Sequence, residues 1–188
     1  MNNTIYIKNM VCPRCISAVR DIFKKLEIPF ILVTLGEVTL DQKLDDTKRQ
    51  QLLQELEAIG FTLINDRKSQ LIEQMKSLVV GKIHHSDSNL DIKWADFISD
   101  QLNLDYKYLS TLFSSVESIT FERYIINQKI ERVKELIVYD ELTLSEIAFK
   151  FNYSSVAYLS NQFKKTTGMT PTQFKTSIIK NRKSLDEV

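Results

Sequence analysis

Two cysteines separated by two residues, Cys12 and Cys15, carry the most reactive side chains of this 188-residue sequence. A short β-type run precedes them, and apolar residues at helical spacing follow, so the pair is predicted to lie at the start of a helix. The free N–H groups and the dipole of a helix start lower the pKa of a thiol. Two neighbouring thiolates suit a soft ion of low coordination number, and Cu(I) is the leading candidate. The spacing therefore predicts a thiophilic metal site.

Other roles for the cysteine pair stay open. Zn(II) takes about four ligands and needs partners beyond the pair. His84 and His85, the only histidines, are candidates, although a His pair near a helix C-terminus more often interacts with the helix dipole. The C-x-x-C spacing also suits a dithiol redox switch. A third alternative is an inert pair in a domain kept for interaction or oligomerisation.

A second set of residues, near the C-terminus, has the spacing expected of a DNA-reading element. Thr143 and Glu146 predict a capping box at the start of one short helix. The stretch 152–154 breaks the apolar pattern, and Ser154 is the predicted cap of the next helix. Two short helices joined by a tight turn predict a helix-turn-helix that inserts into a DNA groove.

The outward face of that second helix carries side chains that can read bases. Asn can make two hydrogen bonds to adenine, Ser can bond to any base, and Val or Ala can contact a thymine methyl group. Lysines at the end of the helix suit phosphates better than bases. The predicted DNA contacts of this unit are Ser155, Val156, Ala157, Ser160, Asn161, Lys164 and Lys165.

An internal repeat indicates that this unit is the second of two. The segment 108–113 returns as 158–163, displaced by 50 residues, and Ile119-Thr120 returns as Met169-Thr170 with the same offset. The first unit is predicted as a helix 94–102, a turn with Asp105 as cap, and a second helix. Its predicted DNA contacts are Tyr106, Lys107, Ser110 and Thr111.

The stretch 121–138 between the two copies has the pattern of one long helix. Such a helix spans about 25 Å at 1.5 Å per residue. It is therefore predicted to hold the two reading helices roughly a DNA turn apart on one face.

Charge is distributed unevenly, although the formal net charge is only +1. The segment 86–122 carries seven acidic residues against Lys93 and Lys107. The segment 147–185 has no acidic residue, and its basic residues are Lys150, Lys164, Lys165, Lys175, Lys180, Arg182 and Lys183. We therefore expect the second unit to supply most of the affinity for phosphate and the first to supply mainly specificity.

Residues 4–66 alternate between strand and helix patterns in the order β-α-β-β-α-β, which predicts a ferredoxin-like sandwich. A polar boundary at 66–69 separates this region from helical patterns. The predicted fold class is α+β: a βαββαβ sandwich in residues 1–67, then an all-α double helix-turn-helix domain in residues 68–188.

Two family resemblances follow from these motifs. Residues 4–66 resemble a heavy-metal-associated domain of the metallochaperone and metal-ATPase type, through Met10-Val11-Cys12-Pro13-Arg14-Cys15 and Gly60-Phe61. This resemblance implies that Cys12 and Cys15 bind metal and that Met10 turns inward.

Residues 70–180 resemble the DNA-binding domain of AraC/XylS-family transcription regulators. The matching segments are 129–136, Leu144-Ser145-Glu146-Ile147-Ala148, 151–154, Phe163-Lys164-Lys165 and Thr167-Gly168-Met169-Thr170-Pro171. The resemblance implies double-stranded DNA as a partner, with RNA polymerase as a candidate second partner. Monomer and homodimer both stay open.

Other classes of protein fit the sequence less well. There is no nucleophile–base arrangement and no Gly-rich phosphate loop, so an enzyme is not expected. No apolar run approaches the roughly 18 residues that span a membrane, and the N-terminus lacks the pattern of a signal peptide. We therefore predict a cytoplasmic, metal-responsive, sequence-specific DNA-binding transcription regulator. A metal carrier is the alternative from a different class.

Overall fold

The computed structural model describes residues 4–86 and 89–181, with side chains through Ser177. Buried apolar residues form two separate cores, one among residues 5–63 and one among residues 71–174. The first core belongs to a mixed α/β unit and the second to an all-helical unit. In the described part of the chain, no helix is both long enough and apolar enough to cross a membrane.

The N-terminal unit has the predicted order of strands and helices. Its elements are β1 (Thr4–Lys8), α1 (Pro13–Lys25), β2 (Phe30–Thr34), β3 (Glu37–Leu40), α2 (Asp46–Ala58) and β4 (Thr62–Ile64). The strands form an antiparallel sheet in the order β2-β3-β1-β4. The two helices share a core with one face of this sheet, through Ile7, Val19 and Leu52. The ferredoxin-like classification stays a prediction.

The helical unit follows with almost no linker. Its elements are α3 (Arg67–His84), α4 (Trp94–Leu102), α5 (Tyr106–Glu117), α6 (Phe121–Tyr139), α7 (Leu144–Lys150), α8 (Val156–Thr167) and α9 (Pro171–Asn181). Both halves of the sequence repeat build the same ring contact, because Phe113 lies 5.3 Å from Tyr124 and Phe163 lies 5.5 Å from Phe174. Each reading helix is thereby packed against the helix that follows it.

Helix α3 connects the two units, because it packs against both. The predicted domain boundary, between residues 67 and 68, falls in its first turn. Its apolar residues, among them Met75 and Val79, join the C-terminal core. Its other side lies on the sheet, where Gln74 donates a hydrogen bond to the Tyr6 hydroxyl over 3.3 Å. A Cβ on Gly36 would lie 2.6 Å from the Ser77 hydroxyl oxygen, so glycine permits this close approach of α3.

The predicted caps are present, with one correction. Asp105 caps α5, and the capping box of Thr143 and Glu146 begins α7. The predicted cap Ser154 is wrong, because Ser155 accepts the hydrogen bond from the Tyr158 N–H, over 3.1 Å. The turn is longer than the apolar pattern indicated. Asn152 adopts a left-handed conformation after α7, which places the extended cap position at Ser155.

Candidate nucleic-acid interface

The two reading helices, α5 and α8, are equivalent in length, cap and burial pattern. Asp105 and Ser155 cap them at positions 50 residues apart. On the inner faces, Leu109 and Leu159 are completely buried. The opposite faces are directed to solvent, as a helix that enters a DNA groove requires.

The outer face of α8 contains most of the side chains predicted to contact DNA. Ser155, Ala157, Asn161, Lys164 and Lys165 are exposed, whereas Val156 and Ser160 are half-buried. Val156 packs against the helical core, and the Ser155 hydroxyl is occupied by the cap. The residues freest to contact bases are therefore Ala157 and Asn161, with the two lysines at the C-terminal end of the helix.

The outer face of α5 is less basic, with one lysine. Lys107 and Thr111 are exposed, and the hydroxyl of half-buried Ser110 donates to the Lys107 carbonyl over 3.2 Å. Tyr106 is half-buried against α6, where its hydroxyl donates to the Glu122 carboxylate over 2.5 Å. Burial and this bond to an anion raise the pKa of Tyr106. The structure thus places Tyr106 at the junction of α5 and α6, beside the exposed face.

Two tyrosines belong to these faces and were not among the predicted contacts. Tyr108 is 49% exposed and Tyr158 is 54% exposed, at equivalent positions in the first turns of α5 and α8. The sequence could have predicted this position, because helical spacing places Tyr158 on the same face as Asn161 and Lys165. Each reading helix therefore presents an aromatic ring near its leading end.

Charge distinguishes the two faces. Lys164 and Lys165 are exposed, and neither makes an ion pair within residues 4–86 and 89–181. Lys175, counted in the basic flank, pairs with Asp140. The side chain of Lys180 and the residues Arg182 and Lys183 lie outside the described part. Within the described residues, the two lysines of α8 are the clearest candidates for phosphate contacts.

Helix α6 fixes the two units relative to each other. At its start, the Phe121 ring packs 5.0 Å from the Phe113 ring of α5, tilted by 60°. At its middle, the half-buried Lys129 donates to the Phe151 carbonyl over 3.1 Å and lies 5.5 Å above the Tyr153 ring. Burial lowers the pKa of Lys129. Both reading units are thus attached to one helix through buried contacts.

The cysteine pair lies at the start of α1, as the sequence predicts. The Cys12 and Cys15 sulfur atoms are 3.1 Å apart, and both residues are half-buried as free thiols. Hydrogen bonds from the Cys15 thiol and from backbone N–H groups lower the pKa of Cys12. Met10 is 2% exposed and turns inward, as the resemblance implied. The pair can therefore act as a soft, anionic two-sulfur site.

The two histidines end α3, and each has a hydrogen-bond partner on another element. His85 Nε2 lies 2.9 Å from the Val11 carbonyl, and His84 Nε2 lies 3.0 Å from Gln128 Oε1 on α6. Burial lowers the pKa of His84. No three metal-ligating side chains cluster in the parts of the chain that the structure describes. The four-ligand arrangement considered for Zn(II) is therefore not assembled among those residues.

The helical unit is similar in sequence to parts of known transcription regulators. Residues 98–177 match the family model described as a helix-turn-helix domain. The uncharacterized transcriptional regulatory protein YesN of Bacillus subtilis is 30% identical over 109 residues, which cover 57% of this chain and 28% of that protein. The Msm operon regulatory protein of Streptococcus mutans is 28% identical over 102 residues, which cover 54% of this chain and 36% of that protein. The chain thus spans about a third of the length of these relatives.

Solved structures show the same fold. The C-terminal domain of AraT, a response regulator from Geobacillus stearothermophilus, superposes with a TM-score of 0.51 at 25% identity, covering 60% of this chain and 88% of that chain. A transcriptional regulator from Chromobacterium violaceum, described by its AraC-type DNA-binding domain, superposes with a TM-score of 0.52 at 16% identity. The match covers 63% of this chain and 100% of that chain. The helical unit therefore has the fold of an AraC-type DNA-binding domain.

Proposed function

Since residues 98–177 match the helix-turn-helix family and the helical unit has the AraC-type fold, we propose that this protein is a sequence-specific DNA-binding transcription regulator. The observation that supports the proposal is the pair of helices with equivalent caps and exposed outer positions, both attached to the one long helix α6. Double-stranded DNA is the proposed partner. A regulator of this kind works in the cytoplasm, where bacterial DNA lies.

Each reading helix is proposed to enter the major groove with its leading end. On α8, Asn161 can pair with adenine and Ala157 can contact a thymine methyl group, while Lys164 and Lys165 bind phosphates. On α5, Thr111 and Lys107 are the corresponding contacts. Tyr108 and Tyr158 lie beside them and can reach the phosphate backbone through their hydroxyls.

Selection from a random double-stranded DNA library tests this function. The wild-type protein is expected to enrich a site with two conserved blocks about one helical turn apart. Asn161→Ala should relax the preference at one position of one block. Ser177→Ala, away from the reading faces, is the control and should select the wild-type site. Enrichment of no sequence would overturn the proposal and favour the metal-carrier alternative.

The cysteine pair is proposed as the site through which DNA binding is controlled, with Cu(I) as the favoured ion. Two neighbouring sulfur atoms suit a soft ion of low coordination number, and the lowered pKa of the Cys12 thiol favours the thiolate that binds it. The described residues offer no cluster of ligands that would complete a tetrahedral zinc site. Cys12 and Cys15 would hold the ion. Control requires that the ion bind two arrangements of the protein with different affinity.

Metal analysis of protein purified under reducing conditions tests the site, with the Cys12→Ser, Cys15→Ser variant as the matched control. DNA titration with and without Cu(I) then tests the control. We expect metal in the wild type alone, and a DNA affinity that changes with Cu(I) in the wild type alone. Equal DNA affinities under both conditions would exclude control of affinity by metal.

The sulfur–sulfur distance of 3.1 Å favours one second candidate, a dithiol switch. Formation of a disulfide between Cys12 and Cys15 needs only a small approach of the two sulfur atoms. A thiol oxidant such as diamide, added without metal, distinguishes this candidate. A change in DNA affinity that dithiothreitol reverses would support the switch, and an unchanged affinity would exclude it.

A further inference from the structure

We infer that His84 and His85 are positioning residues that connect the cysteine loop to helix α6, to which both reading helices are attached. The inference rests on the proposed control of DNA binding at Cys12 and Cys15. It adds the structural route by which a change at the sulfur atoms reaches the DNA-binding faces.

The first contact joins the cysteine loop to α3. The Val11 carbonyl can only accept a hydrogen bond, so His85 Nε2, 2.9 Å away, carries the proton and donates it. Val11 precedes Cys12 directly in the chain. A reorientation of the loop around a bound ion, or around a disulfide, therefore moves the acceptor of this bond.

The second contact joins α3 to the helix that carries both reading units. His84 Nε2 donates to Gln128 Oε1 over 3.0 Å. The next residue, Lys129, donates a hydrogen bond to the Phe151 carbonyl of the second unit. One turn earlier, the Tyr124 ring packs 5.3 Å from the Phe113 ring of the first unit. The point of contact thus lies between the attachments of the two units on α6.

A groove of about 590 Å³ separates the cysteine loop from α6 beside these bonds. Val11 and Cys12 lie on one side of it, and Tyr124, Gln128, Arg132 and Glu135 of α6 lie on the other, with both histidines in its lining. Because the loop and α6 are separated by open space here, the two imidazoles bridge them.

The two imidazoles are adjacent in the chain at the end of α3, so they share one short piece of backbone. A displacement of His85 with the loop therefore displaces His84 and its bond to Gln128. Coupling free energies between distant sites correspond to roughly 5- to 150-fold changes in affinity. A change of that size in DNA affinity is expected when Cu(I) binds.

The test uses the full chain, Cu(I) from an anaerobic buffered source, and the DNA site selected by the wild-type protein. His85→Leu and Gln128→Leu remove one contact each. His85→Gln keeps an N–H donor, and Gln128→Glu keeps an oxygen acceptor. Lys68→Leu, exposed at the far end of α3, is the matched control. Circular dichroism and thermal unfolding establish that each variant is folded.

Three quantities are measured for each variant: the affinity for Cu(I), the ratio of DNA dissociation constants with and without Cu(I), and amide hydrogen exchange across residues 121–139. We expect His85→Leu and Gln128→Leu to bind Cu(I) and metal-free DNA within about twofold of the wild type, with the ratio reduced to about 1. Their exchange in 121–139 should no longer respond to Cu(I). His85→Gln, Gln128→Glu and Lys68→Leu should keep the wild-type ratio.

Failure of the inference is distinguishable from failure of the proposed function. If the double cysteine variant loses the Cu(I) effect while His85→Leu and Gln128→Leu keep it, the route through the histidines is overturned. If the wild type itself shows no effect of Cu(I), metal control is overturned. Hydrogen exchange without metal then tests whether the histidines connect the cysteine loop to α6. His85→Leu should then speed exchange around Gln128, and unchanged exchange would overturn the inference.

Discussion

The two helix-turn-helix units share a sequence pattern but lie in different surroundings. The first is enclosed: α5 packs against α3, and Glu117 at its end forms a 2.7 Å ion pair with Lys76 of that helix. The second packs mainly against α6 and α9, with two hydrogen bonds to residues 90 and 91, and its two lysines extend into solvent. The first unit thus contacts the helix that packs on the N-terminal sheet, whereas the lysines of the second unit face solvent.

This difference suggests a division of roles between the copies. A duplicated unit needs only one strongly basic face to bind DNA phosphates, because affinity depends on the total number of phosphate contacts. The other copy is then free to carry contacts to a second domain. The enclosed unit is therefore where we expect control to act, and the open unit is where we expect most of the affinity to arise.

The largest expected effect concerns the open unit. Lys164→Gln with Lys165→Gln should weaken binding to every DNA sequence, by roughly a hundredfold if each charged contact contributes about 1.5 kcal/mol. The dependence of log affinity on log salt should flatten by about one to two, because two counterion-releasing contacts are lost. Filter binding or fluorescence anisotropy at several salt concentrations measures both.

Lys107→Gln in the enclosed unit is the matched comparison. Its loss of binding free energy and its change in salt dependence should each be at most about half of those of the double lysine variant. An altered sequence preference in the double lysine variant would contradict the assignment to phosphates. An equal effect of Lys107→Gln would contradict the division between the two units.

A smaller effect is expected from Thr111→Ala in the enclosed unit. Loss of a base contact should cost about 1–2 kcal/mol at one position of the site, with the salt dependence unchanged. Competition between the selected site and single-base variants measures the cost. The control is Ser115→Ala, exposed on the same helix and outside the predicted contacts. A uniform loss over all variants would show that Thr111 contacts phosphate instead.

The smallest expected effect concerns Glu73, which is 6% exposed where α3 meets the N-terminal unit. Burial is the largest influence on its pKa and raises it, against the lowering effects of the Lys76 charge and the Asn9 N–H. The folded protein thus holds a proton on Glu73 more tightly than the unfolded chain does. This stabilisation is complete below the ordinary carboxyl pKa and is lost as pH rises through the raised value.

The side chain in Glu73→Gln does not ionise, so this variant keeps the stability that the wild type loses as pH rises. Its free energy of unfolding should exceed that of the wild type by about 1 kcal/mol near pH 7 and converge with it at about pH 4. Urea unfolding across that range measures the difference. Glu131→Gln, on the exposed side of α6 where Glu131 pairs with Lys134 over 2.6 Å, is the surface comparison and should not stabilise the protein near pH 7. If Glu73→Gln destabilised the protein near pH 7, the ionised carboxylate would instead be stabilising the junction.

Local patterns predicted much of this fold, because caps and amphipathic stripes act within a few residues. The bounds of α4 were predicted to the residue, and those of α6 to within one residue. The cap of α8 was misplaced by one residue, because the conformation of Asn152 depends on how the turn packs. The burial of Glu73 was not predicted, because a single apolar stripe does not reveal that α3 packs against two units at once.

The sequence by itself determined the repeat, the caps, the cysteine pair at a helix start and the asymmetry of charge, since each depends on residue type and local spacing. The tertiary structure alone decided which contacts join the two domains, among them His85 with Val11 and Gln74 with Tyr6, and that His84 of α3 meets Gln128 of α6. It also decided that Tyr106 points to Glu122 while Tyr108 and Tyr158 face outward. These outcomes depend on contacts between residues far apart in the chain, for which local periodicity provides no signal.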